Sequence, residues 1–222
     1  AAAGADNAFL ATKVGLERDG NDAVERRTRQ DTLRSVQLSR KLTLRDTLDL
    51  VQIHEVAESN VESVVARGGQ ADTLFALREE GVIRHVGVTG SDVVALTAAV
   101  RTGRFASVQI WKRWTILDDS ADGLIGLAAD LGIAVLIAAP FASGILASDA
   151  PGGELHNAPP PSDASQAVRR LRAACARREL DLAACALAWS LDDRVTSVIV
   201  GADTVCHVRG NAAMLDALPP RA

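Results

Sequence analysis

Two ionisable side chains stand where short apolar runs end. Phe9-Leu10-Ala11-Thr12 leads into Lys13, and Asp49-Leu50-Val51-Gln52-Ile53 leads into His54. A buried strand that delivers one titratable group at its carboxyl end is how a closed parallel sheet places catalytic residues. A lysine there supplies a cation or a proton, and a histidine orients a polar substrate or exchanges a proton with it. Each residue also has a plainer reading: Lys13 as a solvated strand end, and His54 as a side chain satisfying a backbone partner.

The elements that must position this pair alternate along the chain. Six β-like runs are expected at 9–14, 48–54, 85–89, 107–111, 134–138 and 197–200, nearly all continuously apolar as in parallel strands buried on both faces. Helical text fills roughly 24–42, 70–80, 91–101, 121–131, 163–178 and 204–217. Asp72-Thr73-Leu74 and Ser91-Asp92 offer N-cap chemistry, and Gly81, Gly103 and Gly132 stand where C-cap glycines belong. A proline-rich loop from Pro151 to Pro161, longer than usual, is a candidate lid or disordered excursion, and its His156 and Asn157 are minor candidates to face substrate against the plainer reading as ordinary loop residues. His85 is placed at the start of its strand, on the face that serves stability, and receives no role.

Strict βα alternation demands a parallel sheet, closed or doubly wound. No G-x-G-x-x-G follows a strand, so a dinucleotide-binding loop of the Rossmann type is not supported. The reading is therefore α/β, a (β/α)8 TIM-barrel type truncated to about six βα units, as one domain over 1–222. The absent units are expected before residue 9. Six strands do not close a barrel, so apolar edges near Phe9 and Val198 call for a second copy or a partner chain to cover them.

Several segments, in order, resemble the aldo-keto reductase family, nearest to its fucose and threo-aldose dehydrogenase branch. They are Ala11-Thr12-Lys13-Val14-Gly15, Leu48 to His54, Arg78 to Thr89, Arg113 to Asp118, Ala138 to Leu146, and Ser197 to Gly201. The resemblance runs from residue 9 to about 217. It implies NAD(P)-dependent hydride transfer between a nicotinamide and a sugar or small aldehyde, with Lys13 and His54 as two members of a catalytic tetrad. The other two, an aspartate and a tyrosine, are expected upstream. The chain has no tyrosine, nothing in residues 1–8 matches the aspartate, and Asp6 is a poor replacement.

On the cofactor side the resemblance assigns Gln109 and Thr89 to the nicotinamide amide, with Gly90 where an asparagine is usual. Gly201, Ala202, Asp203, Arg209 and Asn211 fall at the adenosine-phosphate end, where a helix N-terminus favours phosphate. Asp203 replaces a common arginine and Gly210 a common glutamate. An acid there favours NAD over NADP, with Arg209 or His207 as partial compensation, and Asp203 reads equally well as a helix cap. Trp111 and Trp114 are placed as a substrate wall, against an equally good reading as core. Two alternatives remain open: a catalytically degenerate member of the fold that binds or assembles, and altered lyase or isomerase chemistry using Lys13 or His54 as a base.

Composition excludes other classes. A net charge of −4 with interspersed signs argues against nucleic acid and anionic membrane. The arginines from Arg26 to Arg45 read as a solvated helix face. Cys175, Cys185 and Cys206 are odd in number and not spaced as zinc ligands, so no metal is expected and a reducing cytoplasm fits; Cys175 and Cys185 read as small core residues. Ala1-Ala2-Ala3-Gly4 does not read as a signal peptide, and no window approaches the ~18 apolar residues of a membrane span.

Overall fold

The computed structural model describes residues 8–20, 22–147 and 162–218. The expectations for Asp6, the first four residues, His156, Asn157 and the whole proline-rich loop lie outside them. A main sheet holds six strands whose hydrogen-bonded order follows the chain: β1 (Ala11–Val14), β4 (Leu48–Ile53), β5 (Ile83–Gly90), β6 (Ser107–Trp111), β7 (Ala134–Ala138) and β8 (Ser197–Ile199). A separate antiparallel pair, β2 (Leu16–Asp19) and β3 (Asp22–Glu25), lies between the first two of these in sequence. The helices are α1 (Arg29–Thr43), α2 (Val61–Val65), α3 (Gln70–Glu79), α4 (Val93–Arg101), α5 (Asp122–Asp130), α6 (Ser162–Ala176), α7 (Leu182–Ser190) and α8 (Val205–Asp216). The fold class is the α/β barrel type expected, with six βα units among the described residues. The chain divides into two compact units, one of residues 1–109 with 127–134, the other of 110–126 with 135–222.

The first unit is organised by β4. All six of its residues are buried, and it pairs in parallel with β1 on one side and β5 on the other. Such a strand has no solvent-facing side, which is why it reads as a mainly apolar run, interrupted only by Asp49 and Gln52. Its one acid, Asp49, is only 8% exposed. Asp49 accepts the Leu10 N–H at 2.9 Å and pairs with Arg45 and Arg84, each at 3.5 Å, so the carboxylate is not stranded. Leu74, Leu96 and Val100 from the helices and Leu48, Ile53 and Val88 from the strands are all buried.

Several local expectations are corrected. Residues 24–28 are not helical: an Asp19-Gly20 turn, with Gly20 at φ 63°, reverses the chain into β3, and α1 starts at Arg29. Thr28 caps α1 through a reciprocal capping box with Asp31. The N-cap of α3 is Gly69, without a side-chain cap, while Asp72 reaches back from the first turn to accept the Gly68 N–H at 2.7 Å. Asp92 does cap α4, accepting from Ala95. Gly81, Gly103 and Gly132 all take the positive φ of chain reversals at helix ends. His85 is the third residue of β5 rather than its first, its ring stacked against Phe9 at 6.3 Å. The short helix α2 and the helix α7 are additions to the expected elements; α7 is almost uniformly apolar, Leu182-Ala183-Ala184-Cys185-Ala186-Leu187, and so lacks a clear helical period.

In the second unit β7 pairs in parallel with β8. Ala142, Ile145, Leu146, Val168, Leu182 and Ala186 form its core cluster, with Cys175 packed alongside. Cys175 Sγ and Cys185 Sγ approach to 3.9 Å as free thiols, and Cys206 is exposed. Arg194 ties the segment after α7 to α5, bonding Asp122 and Asp192 at 2.8 Å each. α8 buries no residue, and its Val205 and Val208 are exposed.

Gly69 tests the packing of the α2–α3 turn. A Cβ there would fall 2.4 Å from the Ser63 carbonyl oxygen and 2.9 Å from that of Ala66, both backbone atoms that yield poorly. Gly69→Ala is expected to cost about 1–3 kcal/mol in urea unfolding, as overpacking does. Gly123→Ala, with nothing within 4 Å, is the control expected to be near neutral.

Candidate active site

Parallel register brings the predicted strand-end residues of the first unit onto one face. Lys13 is opposite Gln52, and Gln52 is opposite Gly87. Side chains alternate along a strand, so His54 shares the face of Gln52, and Thr89 that of Gly87. A Cβ on Gly87 would lie 2.2 Å from Ser107 Oγ and 3.2 Å from Gln52 Cγ, which places Ser107 on this face too, and Gln109 two residues on. Lys13, His54, Thr89 and Gln109 therefore line one face at the carboxyl ends of β1, β4, β5 and β6. Thr89 and Gln109 are 2% and 6% exposed.

The backbone around His54 is pinned from several sides. Its N–H donates to the Val14 carbonyl at 2.8 Å, and the Val56 N–H donates to the Thr89 carbonyl at 2.9 Å. Between them Glu55 turns at φ 50°, a left-handed conformation that a non-glycine residue adopts at a cost of about 1–3 kcal/mol. Gly90, where the resemblance led one to expect an asparagine, has a local reason. A Cβ there would stand 2.7 Å from the Val56 carbonyl oxygen, so the turn carrying His54 occupies that space.

Burial and charge act together on the titratable pair. Burial foremost, then the cations Lys13 and Arg27, hold the His54 pKa down to about 4, so the imidazole is neutral at pH 7. Burial also lowers the Lys13 pKa from its ordinary lysine value. Burial raises that of Glu55, against the lowering effect of Arg27. A neutral imidazole beside an ammonium suits recognition of an oxygen that gains negative charge.

Two residues here escaped the sequence reading. Gln52 is fully buried and neither amide atom has a hydrogen-bond partner among the described residues. Its signal was a single amide two positions before the histidine in an otherwise apolar strand. Arg27 was grouped with the solvated arginines, yet its side chain is 14% exposed and donates to the His54 and Glu55 carbonyls, each at 3.1 Å. Of the other arginines of that stretch, Arg34 is exposed as expected and pairs with Glu17 at 2.8 Å, whereas Arg45 lies past α1 with its side chain 22% exposed against Asp49.

The second unit holds the remaining predicted residues. Trp111 ends β6 with Lys112 Nζ 4.1 Å above its ring. Trp114 is buried, 6.1 Å from Trp189 between ring centroids, with the Arg194 guanidinium 5.7 Å above it. Gly201, Ala202, Asp203 and Arg209 are exposed, and Asn211 Nδ2 donates to the Gly201 carbonyl at 3.4 Å. Asp203 is not the cap of α8. Thr204 is, accepting the His207 N–H at 3.1 Å, while the Asp203 N–H donates to His207 Nδ1 at 3.3 Å. The Asp203 carboxylate is thus spared capping duty. Among the described residues no three or more His, Cys, Asp or Glu gather for a metal, and no helix is long and apolar enough to cross a membrane.

A face of strand ends bearing lysine, histidine and amide groups, on a sheet whose strands follow chain order, defines an α/β barrel-type site. The chain belongs to the aldo/keto reductase family, which it matches over residues 2–219. It is 27% identical to L-galactose dehydrogenase from Arabidopsis thaliana over 214 residues, covering 95% of this chain and 64% of that protein. It is also 27% identical to D-threo-aldose 1-dehydrogenase from a Pseudomonas species, covering 75% of this chain and 51% of that protein. The chain thus spans between about half and two thirds of the length of these relatives. The holo form of an aldo-keto reductase from Bacillus halodurans superposes on it with a TM-score of 0.79 at 22% identity, covering 97% of this chain and 70% of that one, a likeness of fold.

The depressed His54 pKa has a consequence for stability. The unfolded chain takes up a proton on this residue near pH 6.5 and the folded chain only near 4, so the unfolded state binds more protons between those values. Stability is expected to fall as pH drops through that window. His54→Gln should lose this part of the pH dependence, read as the difference in urea midpoints at pH 7 and pH 5. An unchanged difference would contradict a neutral buried imidazole.

Proposed function

We propose that this chain serves NAD(P)-dependent hydride transfer between a nicotinamide and the carbonyl or alcohol carbon of a sugar or small aldehyde. The observation that carries the reading is the shared face of Lys13, His54, Thr89 and Gln109 at adjacent strand ends. Its family supports the reaction class, and the dehydrogenase names of two relatives support an aldose as substrate.

The residues present fit a nicotinamide. Thr89 and Gln109 offer a hydroxyl and an amide to its carboxamide, and the orphaned Gln52 amide beneath them is a further polar group on the same face. When bound, the cofactor supplies or accepts the hydride. This chain's residues then manage the oxygen. Neutral His54 donates a hydrogen bond to the substrate oxygen and steadies the charge that develops there. The chain has no tyrosine, so among its own residues the proton is held best on Lys13 Nζ, whose pKa burial has moved toward the working range. In the second unit Gly201, Ala202 and the start of α8 offer backbone N–H groups to a phosphate, with Asn211 holding the Gly201 carbonyl and Arg209 adding positive charge. Of the two tryptophans, half-buried Trp111 is the proposed sugar-facing aromatic, and Trp114, buried against Trp189, is proposed as core. Asp203, free of capping, disfavours a 2′-phosphate and so favours NAD.

Fluorescence titration with NADH and NADPH tests this. Micromolar binding of one or both is expected, with Asp203→Ala shifting the preference about tenfold toward NADPH, or ~1.4 kcal/mol. Failure of both nucleotides to bind at about 1 mM would overturn the reading.

The edges of the sheet support one proposal about assembly. Among the described residues β1 pairs only with β4 and β8 only with β7, while Phe9 is 66% and Ile199 40% exposed. Unpaired apolar edges recruit other strands. Sedimentation of the purified chain is expected to show self-association, and a monomer at all concentrations would refute it.

A further inference from the structure

We infer that Arg27 is a positioning residue that clamps the turn presenting His54. This rests on the reading of His54 as the group that orients the substrate oxygen. The guanidinium spans two successive carbonyls, Nη1 to His54 and Nη2 to Glu55, each at 3.1 Å. It is held by Glu25 Oε1 of β3 at 3.2 Å. Asn60 Nδ2 adds a second donor to the Glu55 carbonyl at 3.0 Å. The strained φ of Glu55 persists because these donors fix the carbonyls that a relaxed backbone would swing away.

The other end of the site shares this clamp. Gly15, immediately after β1, adopts φ 107°, and a Cβ there would lie 3.0 Å from Arg27 Nη1. Only glycine lets the guanidinium pass this close to the strand end that carries Lys13. The β2–β3 hairpin serves the same clamp. It returns the chain from β1 so that Glu25 and Arg27 reach the end of β4, with the Arg26 N–H bonded to the Gly15 carbonyl at 3.0 Å. Lysine cannot replace this arginine, because an ammonium is a point donor and cannot bridge two carbonyls in a fixed plane.

The test reads the His54 ring directly by NMR, its resonances assigned with His54→Gln. The charged groups around it are Lys13, Arg27 and the adjoining Glu55, with Glu25 behind Arg27. Arg27→Met is expected to raise the His54 midpoint by about one pH unit, by loss of the cation and of the clamp. Arg27→Lys keeps the charge, and positioning requires that it too departs from the unmodified chain. Arg34→Met, an exposed charge elsewhere, should leave the midpoint unmoved. If Arg27→Lys titrates like the unmodified chain, or if neither variant moves the midpoint, the inference is overturned.

Should both variants fail to fold, the unmodified chain decides. A clamped guanidinium shows slow rotation about its Nε–Cζ bond and separate Nη resonances, and averaged resonances would overturn the inference. None of these measurements uses a nucleotide. Failure of NADH and NADPH to bind would remove the proposed reaction while leaving the clamp standing.

Discussion

The complete burial of β4 is the constraint on which the rest of the first unit depends. A strand hydrogen-bonded on both sides and covered on both faces cannot slip by one residue without exchanging its two sets of side chains between faces. Its register with β1 and β5 is therefore fixed, and Lys13, Gln52 and Gly87 are held in one row. The next row up is the chemically useful one, with His54 and Thr89. The packed sheet beneath these groups fixes their rows, and the turns they border complete their placement.

Desolvation by the same packing sets the chemistry. Burial is the largest cause of the lowered His54 and Lys13 pKa values, so the pair is tuned by exclusion of water before any charge is counted. Buried polar groups are matched to different degrees. Asp49 has a backbone donor and two arginines, and Gln70 donates to Thr32 Oγ1 at 3.2 Å while its Oε1 has no hydrogen-bond partner among the described residues. Gln52, directly below the site, has neither amide atom matched. A protein tolerates such a group at a cost of about 1–3 kcal/mol, and functional sites are where that cost is commonly met.

The two units differ in how they hold their candidate residues. In the first, strand ends and cross-strand hydrogen bonds fix each side chain in a buried setting. In the second, the segment from Gly201 to Gly210 is exposed and carries short-range bonds, Thr204 to His207, Asp203 to His207 and Asn211 to Gly201. Backbone donors at a helix start need little burial to meet a phosphate, whereas a group that tunes an imidazole must be dry.

The sequence by itself determined the alternation of elements, the strands 48–53, 107–111 and 134–138 almost to the residue, and the two ionisable strand ends. These are local properties: apolar runs, helix periods and terminal caps are written in neighbouring residues. It also carried the family through ordered motifs. Tertiary structure alone decided that Arg27 leaves the solvated arginines to hold the His54 turn, because nothing in an arginine-rich run marks which member meets carbonyls 27 and 28 residues away. It decided that Gly90 must lack a side chain, since the Val56 carbonyl that fills the space belongs to another turn. It transferred the capping of α8 from Asp203 to Thr204, a choice between two good caps that backbone geometry makes. Contacts between segments distant in sequence come from the register and packing of the whole sheet, and no short window of residues contains them.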